Sequence, residues 1–175
     1  MGDEPLFTRR RFLRWGLGGA GVLVAGASGL LTLRGCAPEV AGLQCLTDHE
    51  FRTFEAVASA IIPRGGPFPE GAADMKIGHA FDAYLADEPA AQVGDVKKAL
   101  LLVDYGPLLF EGRFTTFSRM DEAERVEHWA GWSSSRLAVR RQASAAFRKF
   151  VTMVFYDRPE MWARVNYPGP LMARR

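Results

Sequence analysis

The chain has 175 residues, of which 22 are basic and 20 acidic, so its formal net charge is +2. Residues 1–36 hold five of the basic and two of the acidic residues, which leaves 17 basic and 18 acidic side chains, a net charge of −1, on residues 37–175. This balance argues against a nucleic-acid partner, which would need a basic patch on the folded domain. The 139 residues after Cys36 suit one domain that buries about two-thirds of its unfolded surface.

The first 36 residues have the layout of an export signal. Arginine-rich TRRRFLRW precedes nineteen uncharged residues at 15–33, six of them glycine. Arg9, Arg10, Phe12 and Leu13 occupy the places typical of a twin-arginine signal. The glycines keep the uncharged stretch less hydrophobic than an ordinary membrane span. The segment therefore predicts export to the periplasm through the twin-arginine (Tat) translocase.

The same glycines give a second interpretation that the flanking residues do not support. Gly16, Gly18 and Gly21 match G-x-G-x-x-G, the phosphate-binding turn of dinucleotide sites. That turn needs a buried strand before it and an acidic residue on a second strand after it. Four arginines precede the motif instead, so no dinucleotide site is predicted.

The fate of the signal stays open from the sequence. Nineteen uncharged residues can just cross a bilayer of roughly 30 Å, so an uncleaved membrane anchor is one alternative. Ala25-Gly26-Ala27 offers a cleavage site, and residues 33–36 resemble a lipoprotein box apart from Arg34. Three alternatives follow for Cys36: it is lipidated, it forms a disulfide with Cys45 in an oxidising compartment, or it is lost, leaving Cys45 unpaired and available to another chain.

Residues 37–46 are predicted to be a linker, residues 47–170 a helical domain and residues 171–175 a tail. Thr47 and Glu50 form a capping box that begins a first helix, and Pro63 ends it. Residues 63–72 contain three prolines and three glycines and are predicted to be irregular.

Five further helices are predicted, over 73–86, over 95–110 with a kink or break at Gly106-Pro107, from Asp121, over 135–156, and from Arg158-Pro159. Residues 100–103 are apolar all round, which predicts the central buried helix. Trp129 and Trp132 are expected to share a face. With no alternating strand pattern, the predicted fold is all-α, a small orthogonal or irregular bundle of five or six helices after an N-terminal signal helix.

The histidines form no recognisable catalytic or metal motif. His49-Glu50 lacks the second histidine of H-E-x-x-H and is expected on the surface, in a capping turn. Glu124 and His128 could share a metal, but no second such pair completes a site. An ordinary surface contact is expected instead. His79 and Asp82 are expected to be exposed neighbours. No catalytic, cofactor-binding or metal residue is therefore predicted.

Two segments are candidates for partner docking. The C-terminal region is rich in aromatic residues and proline, and its candidates are Trp162, Tyr167, Pro168, Gly169 and Pro170. Phe68, in the irregular loop, is the second candidate. Phe155 is expected to close the helical core instead.

Three stretches carry a family resemblance: LTDHEFRTFEAVASAIIPRGG at 46–66, GAAD at 71–74 and MVFYDRPEMWARVNYPGP at 153–170. Together with the twin-arginine leader they resemble the gluconate 2-dehydrogenase subunit 3 family, the small subunits of periplasmic, membrane-associated sugar and sugar-acid dehydrogenases. Residues 87–140 match only in helical character. The shared signatures are helix ends and turns, not catalytic motifs.

The resemblance implies an accessory role. In that family FAD is bound by a large oxidoreductase subunit of the glucose–methanol–choline (GMC) type, and a cytochrome c subunit often accepts the electrons. The small subunit is thought to supply the export signal and help the large subunit mature. Two alternatives remain: a free-standing exported or lipid-anchored helical binding protein, and an enzyme that uses the Glu124/His128 face.

Overall fold

The computed structural model describes residues 39–66 and 68–169. This part of the chain contains no strand, which confirms the predicted all-α fold. Its elements are α1 (Asp48–Ile61), α2 (Ile77–Ala86), α3 (Ala90–Asp104), α4 (Gly106–Glu111), a 3₁₀ helix (Phe117–Arg119), α5 (Glu122–Ser133), α6 (Ala138–Tyr156) and α7 (Pro159–Arg164). Arg9, Arg10, Phe12, Leu13, Cys36 and Pro170 lie outside the described residues.

Helix α1 is the centre of the bundle. The predicted capping box starts it: Thr47 Oγ1 accepts from the Glu50 N–H at 3.4 Å, and Glu50 Oε2 accepts from the Thr47 N–H at 2.8 Å. The helix packs against α2, α3, α5, α6 and the 3₁₀ helix. The prediction that residues 100–103 form the central helix is wrong, because Leu101 is 49% exposed while only Leu100 and Val103 of that run are buried.

Helix boundaries follow local backbone signals. Helix α2 begins at Ile77 instead of residue 73, because Lys76 takes a left-handed conformation with φ of 49°. Helix α3 begins directly after Pro89, five residues before its predicted start. The predicted break at Gly106-Pro107 divides the predicted third helix into α3 and α4. Seven α-helices result in the described part of the chain.

Aromatic rings dominate the core. Phe54 of α1 stacks on Phe81 of α2 with ring centroids 3.8 Å apart. Trp129 and Trp132 stack at 5.4 Å on one face of α5, as predicted. Phe155 is fully buried, which confirms its predicted place in the core. Within the described residues no helix is long and apolar enough to cross a membrane.

Residues 40–46, which we call the strap, pack on the bundle instead of forming a free linker. The Asp82 carboxylate accepts hydrogen bonds from three successive N–H groups of the strap, those of Gln44, Cys45 and Leu46, at 2.6, 3.0 and 2.6 Å. Lys97 Nζ donates to the Cys45 carbonyl at 2.7 Å. The prediction that Asp82 is exposed is wrong, since it is 1% exposed, whereas His79 is exposed as expected.

Candidate docking surface

The irregular loop after α1 is ordered by one carboxylate. Arg64 Nε donates to Asp74 Oδ2 at 2.8 Å, and the same oxygen accepts from the Gly71 N–H at 3.0 Å. The Arg64 hydrogen bond holds the pKa of Asp74 below its usual range. A Cβ on Gly71 would lie 2.9 Å from the Arg64 nitrogen, so the loop closes this tightly because residue 71 is glycine.

This loop lies against the C-terminal helices. The Phe68 ring centroid is 6.4 Å from those of Phe155 and Tyr156 at the end of α6. Glu70 forms an ion pair with Arg164 of α7. The two segments that the sequence suggested as separate docking candidates are therefore neighbours.

The C-terminal turn positions two more aromatic side chains. Trp162 Nε1 donates to the Tyr156 carbonyl at 3.0 Å, which fixes the indole over the end of α6. Asn166, with φ of 52°, reverses the chain, and Tyr167 then packs perpendicular to Trp162 with ring centroids 5.8 Å apart. Gly169 has φ of 91° and lies under the indole, where a Cβ would be 3.3 Å from Trp162 Cζ3.

We use the name docking surface for the set Phe68, Tyr156, Trp162, Tyr167 and Pro168. Gly169, a docking candidate from the sequence, is buried beneath the Trp162 indole and supports this surface without being exposed on it. Tyr156 and Tyr167 remain 44% and 47% exposed, although both are held in place by neighbouring rings. Fixed, half-exposed aromatic side chains are typical of protein interfaces, because little side-chain freedom is lost on binding. Tyr156 was not among the docking candidates predicted from the sequence. The sequence feature that could have indicated it is its position on the outer, unburied face of α6.

No family model, curated protein or solved structure matches the chain. Among the described residues, no group of three His, Cys, Asp or Glu side chains is arranged to hold a metal ion. Cys45 is a free, half-buried cysteine in the strap.

His49 is not the surface residue that the sequence suggested. Its Nε2 lies 2.9 Å from Oδ2 of Asp104, a fully buried carboxylate, and the His49 side chain is only 23% exposed. The other Asp104 oxygen accepts from the Ser118 N–H at 2.9 Å. The pair thus joins the start of α1 to the end of α3 and to the 3₁₀ helix.

Glu124 and His128 do not act together, because each has a different partner. Glu124 forms an ion pair with Arg113. His128 is buried, with Nδ1 2.7 Å from Glu111 Oε1 and Nε2 accepting from Trp132 Nε1 at 3.1 Å. The interpretation of this pair as an ordinary surface contact is therefore wrong, because His128 is buried and each residue has another partner.

The hydrogen bonds of His128 define its protonation state. An Nε2 that accepts from Trp132 cannot carry a proton, so the ring is neutral with its proton on Nδ1, facing Glu111. Burial lowers the pKa of His128, which favours this neutral form. Both ring nitrogens thus have a polar neighbour in the core, Trp132 at Nε2 and Glu111 at Nδ1.

Proposed function

We propose that this chain is the non-catalytic small subunit of a periplasmic, membrane-associated FAD-dependent dehydrogenase of the GMC type, acting on a sugar or sugar acid. In this role it aids export and maturation of the flavoprotein subunit. FAD belongs to the large subunit, and a cytochrome c subunit is a further partner. The proposal rests on the family resemblance, on the twin-arginine-like leader and on the docking surface.

The observation that carries the proposal is where the resembling stretches lie. Residues 46–66, 71–74 and 153–170 are separated in sequence, yet contacts link the end of the first stretch to the second, and the loop between them to the third. Arg64 of the first stretch binds Asp74 of the second. Phe68, in the loop between those two, lies against Phe155 and Tyr156 of the third. Resembling stretches whose ends meet at the docking surface support a shared partner for that surface.

An accessory role also fits the physics of export. A flavoprotein that acquires FAD in the cytoplasm has to cross the membrane folded, and the twin-arginine route carries folded proteins. One leader on a bound small subunit suffices for both chains, provided that the interface survives transport. Aromatic side chains already fixed in place favour such an interface, because less conformational entropy is lost on binding.

The test is a native pull-down of the C-terminally tagged chain from its own host, with the absorption spectrum of the eluate recorded. We expect a stoichiometric large protein with a flavin band. Tyr167→Ala should reduce the flavin retained by about tenfold or more, the effect of an interface residue worth about 1.4 kcal/mol or more. Phe114→Ala is the matched control, because Phe114 is 89% exposed and lies outside the docking surface.

A colourless monomer in the eluate would overturn the proposal and favour the free-standing binding protein. Equal flavin retention by wild type and Tyr167→Ala would leave the accessory role intact but contradict this surface as the interface. Turnover by the isolated chain would favour the enzyme alternative.

A further inference from the structure

Helix α6 carries an unbalanced run of positive charge. From residue 128 to residue 156 the chain contains five Arg or Lys residues and no Asp or Glu. Helix α6 buries its apolar side through Phe147, Val151 and neighbouring residues. Arg141, Arg148 and Lys149 lie on the opposite, exposed side. At 100° per residue, these three and Tyr156 fall on one face, which we call the basic face.

The charges of the basic face are not neutralised within the described part of the chain. None of the ion pairs found there includes Arg141, Arg148 or Lys149. Arg141 donates through Nη1 to the Ser135 carbonyl at 2.6 Å, so its charge meets only a neutral acceptor. By contrast, the exposed Arg64 and Lys98 elsewhere on the domain both pair with a carboxylate.

The position of these charges along the helix is also unfavourable. Helix α6 has no acidic residue in its first turn and no side-chain cap, yet Arg140 and Arg141 lie near its start. Cations there oppose the helix macrodipole, which favours negative charge at the N-terminus. Arg140 lies over the Phe110 and Trp132 rings, 4.9 and 5.1 Å from their centroids. Arg141 meets only neutral carbonyl acceptors, so an external negative partner would compensate its charge.

The basic face is continuous with the docking surface. Tyr156 belongs to both, and Lys149 lies two helical turns before it, about 10 Å along the axis. Met153, 39% exposed, lies between them on the outer side of the helix. A partner seated on the aromatic residues would therefore extend over Arg148 and Lys149.

We propose that the basic face of α6 binds an acidic strip on the flavoprotein subunit, next to an apolar patch that receives Tyr156 and Tyr167. This inference rests on the proposed function and adds the chemistry of the partner. A protein fits better than a lipid surface, because the main apolar side of α6 is buried in the core and its exposed side carries only scattered apolar residues, such as Met153, among charged ones.

The experiment is the same native pull-down with the full chain carrying Arg148→Glu and Lys149→Glu. We expect the flavin retained to fall by at least about tenfold, because like charges now oppose each other across the interface. Wild-type complex should also release its flavoprotein when NaCl is raised from about 50 mM to about 500 mM, where charges are strongly screened. The matched control reverses the same number of charges with Lys98→Glu and Arg119→Glu, two exposed positions off the basic face.

Each outcome decides the question. Flavin retained equally by wild type and by Arg148→Glu/Lys149→Glu overturns the acidic strip while leaving the accessory role standing. No flavin with wild type overturns both proposals. An equal loss of flavin with the control pair Lys98→Glu/Arg119→Glu contradicts a local effect of α6. The lipid alternative is tested by sedimenting the purified wild-type chain with anionic phospholipid vesicles. Binding that Arg148→Glu/Lys149→Glu abolishes assigns the basic face to lipid instead. Unchanged thermal unfolding of both pairs would show that the variants fold.

Discussion

Trp132 and Glu111 together determine which ring nitrogen of His128 carries the proton. The stability of the fold should therefore depend on pH. Protonation at Nε2 would set two N–H donors against each other, because Trp132 Nε1 already donates there at 3.1 Å. The charged groups facing the ring are Glu111, Arg113 and Arg140, of which Glu111 favours the imidazolium and the two arginines oppose it. Burial is the largest cause, and it lowers the pKa of His128.

Stability should therefore fall on acidification through this residue. The unfolded chain binds a proton at an ordinary histidine pKa of about 6.5, whereas the folded chain does so only at lower pH. The contribution of His128 is fully present above the unfolded pKa and is lost as the pH falls toward the folded value. We expect the free energy of unfolding, from urea titrations at about pH 7.5 and about pH 5, to drop more in wild type than in His128→Gln.

The matched control is His79→Gln, because His79 is exposed at the edge of Phe51. This substitution leaves the contacts of His128 in place, so the drop expected for wild type should persist. The same drop in His128→Gln as in wild type would contradict the protonation argument.

Burial of individual polar residues is what the sequence predicted least well. His128 and Trp132 are four apart on one helix, so their contact was accessible in principle. Glu111 and Gly106, however, reach them from α4. Asp82 similarly binds backbone groups 36 to 38 residues earlier. Such contacts depend on how the helices pack, which local patterns do not contain.

Among the helices, α1 and α2 approach closely at a glycine. A Cβ on Gly78 of α2 would lie 2.7 Å from the Phe51 ring of α1, which is 3% exposed and has little room to move. By contrast, a Cβ added to Gly94 of α3 would have no neighbouring atom of the described residues within 4 Å, apart from its own helix backbone and adjacent residues. Replacing each of these two helical glycines by alanine therefore separates the effect of close packing, present only at Gly78, from the effect of helix propensity, present at both.

Gly78→Ala should destabilise the protein by about 1–3 kcal/mol, because the added methyl overpacks the contact between α1 and α2. Gly94→Ala should instead stabilise it by about 0.5–1 kcal/mol, because alanine loses less backbone freedom on entering a helix. Equilibrium urea unfolding of both variants measures the difference. A Gly78→Ala protein as stable as Gly94→Ala would show that α1 and α2 are not packed this closely.

Most helices were predictable because each begins or ends with a local signal. The capping box at Thr47, the N-cap Asp121 and the break at Gly106-Pro107 all appear at their predicted places. The start of α2 was missed because Lys76 is left-handed without being glycine. The strap was missed because its hydrogen-bond acceptor, Asp82, lies on a different element.

At the scale of the whole molecule, the candidate site was predicted as two separate segments, and only packing joined them. Composition identified Phe68 and the residues after Trp162 as unusual. It could not indicate that Glu70 pairs with Arg164 or that Phe68 meets Tyr156. The basic residues of α6 can likewise be read from the sequence. That they share a face with Tyr156 becomes clear only when the bounds of the helix are known.

In the proposed accessory role, the leader of this chain carries the bound flavoprotein across the membrane. We call this the carrier role, and it can be tested without knowing the substrate. Replacing Arg9 and Arg10 by lysine keeps the charge of the leader but removes the paired arginines of the export signal. We expect both this chain and the flavoprotein to remain in the cytoplasm, measured by immunoblotting and by flavin absorption of the periplasmic fraction. Arg11→Lys is the matched control, because this third arginine lies outside the twin pair and should leave export of both chains unchanged. Flavoprotein that still reaches the periplasm with the Arg9→Lys/Arg10→Lys chain must have a route of its own, and the carrier role would then be wrong even if the two proteins form a complex.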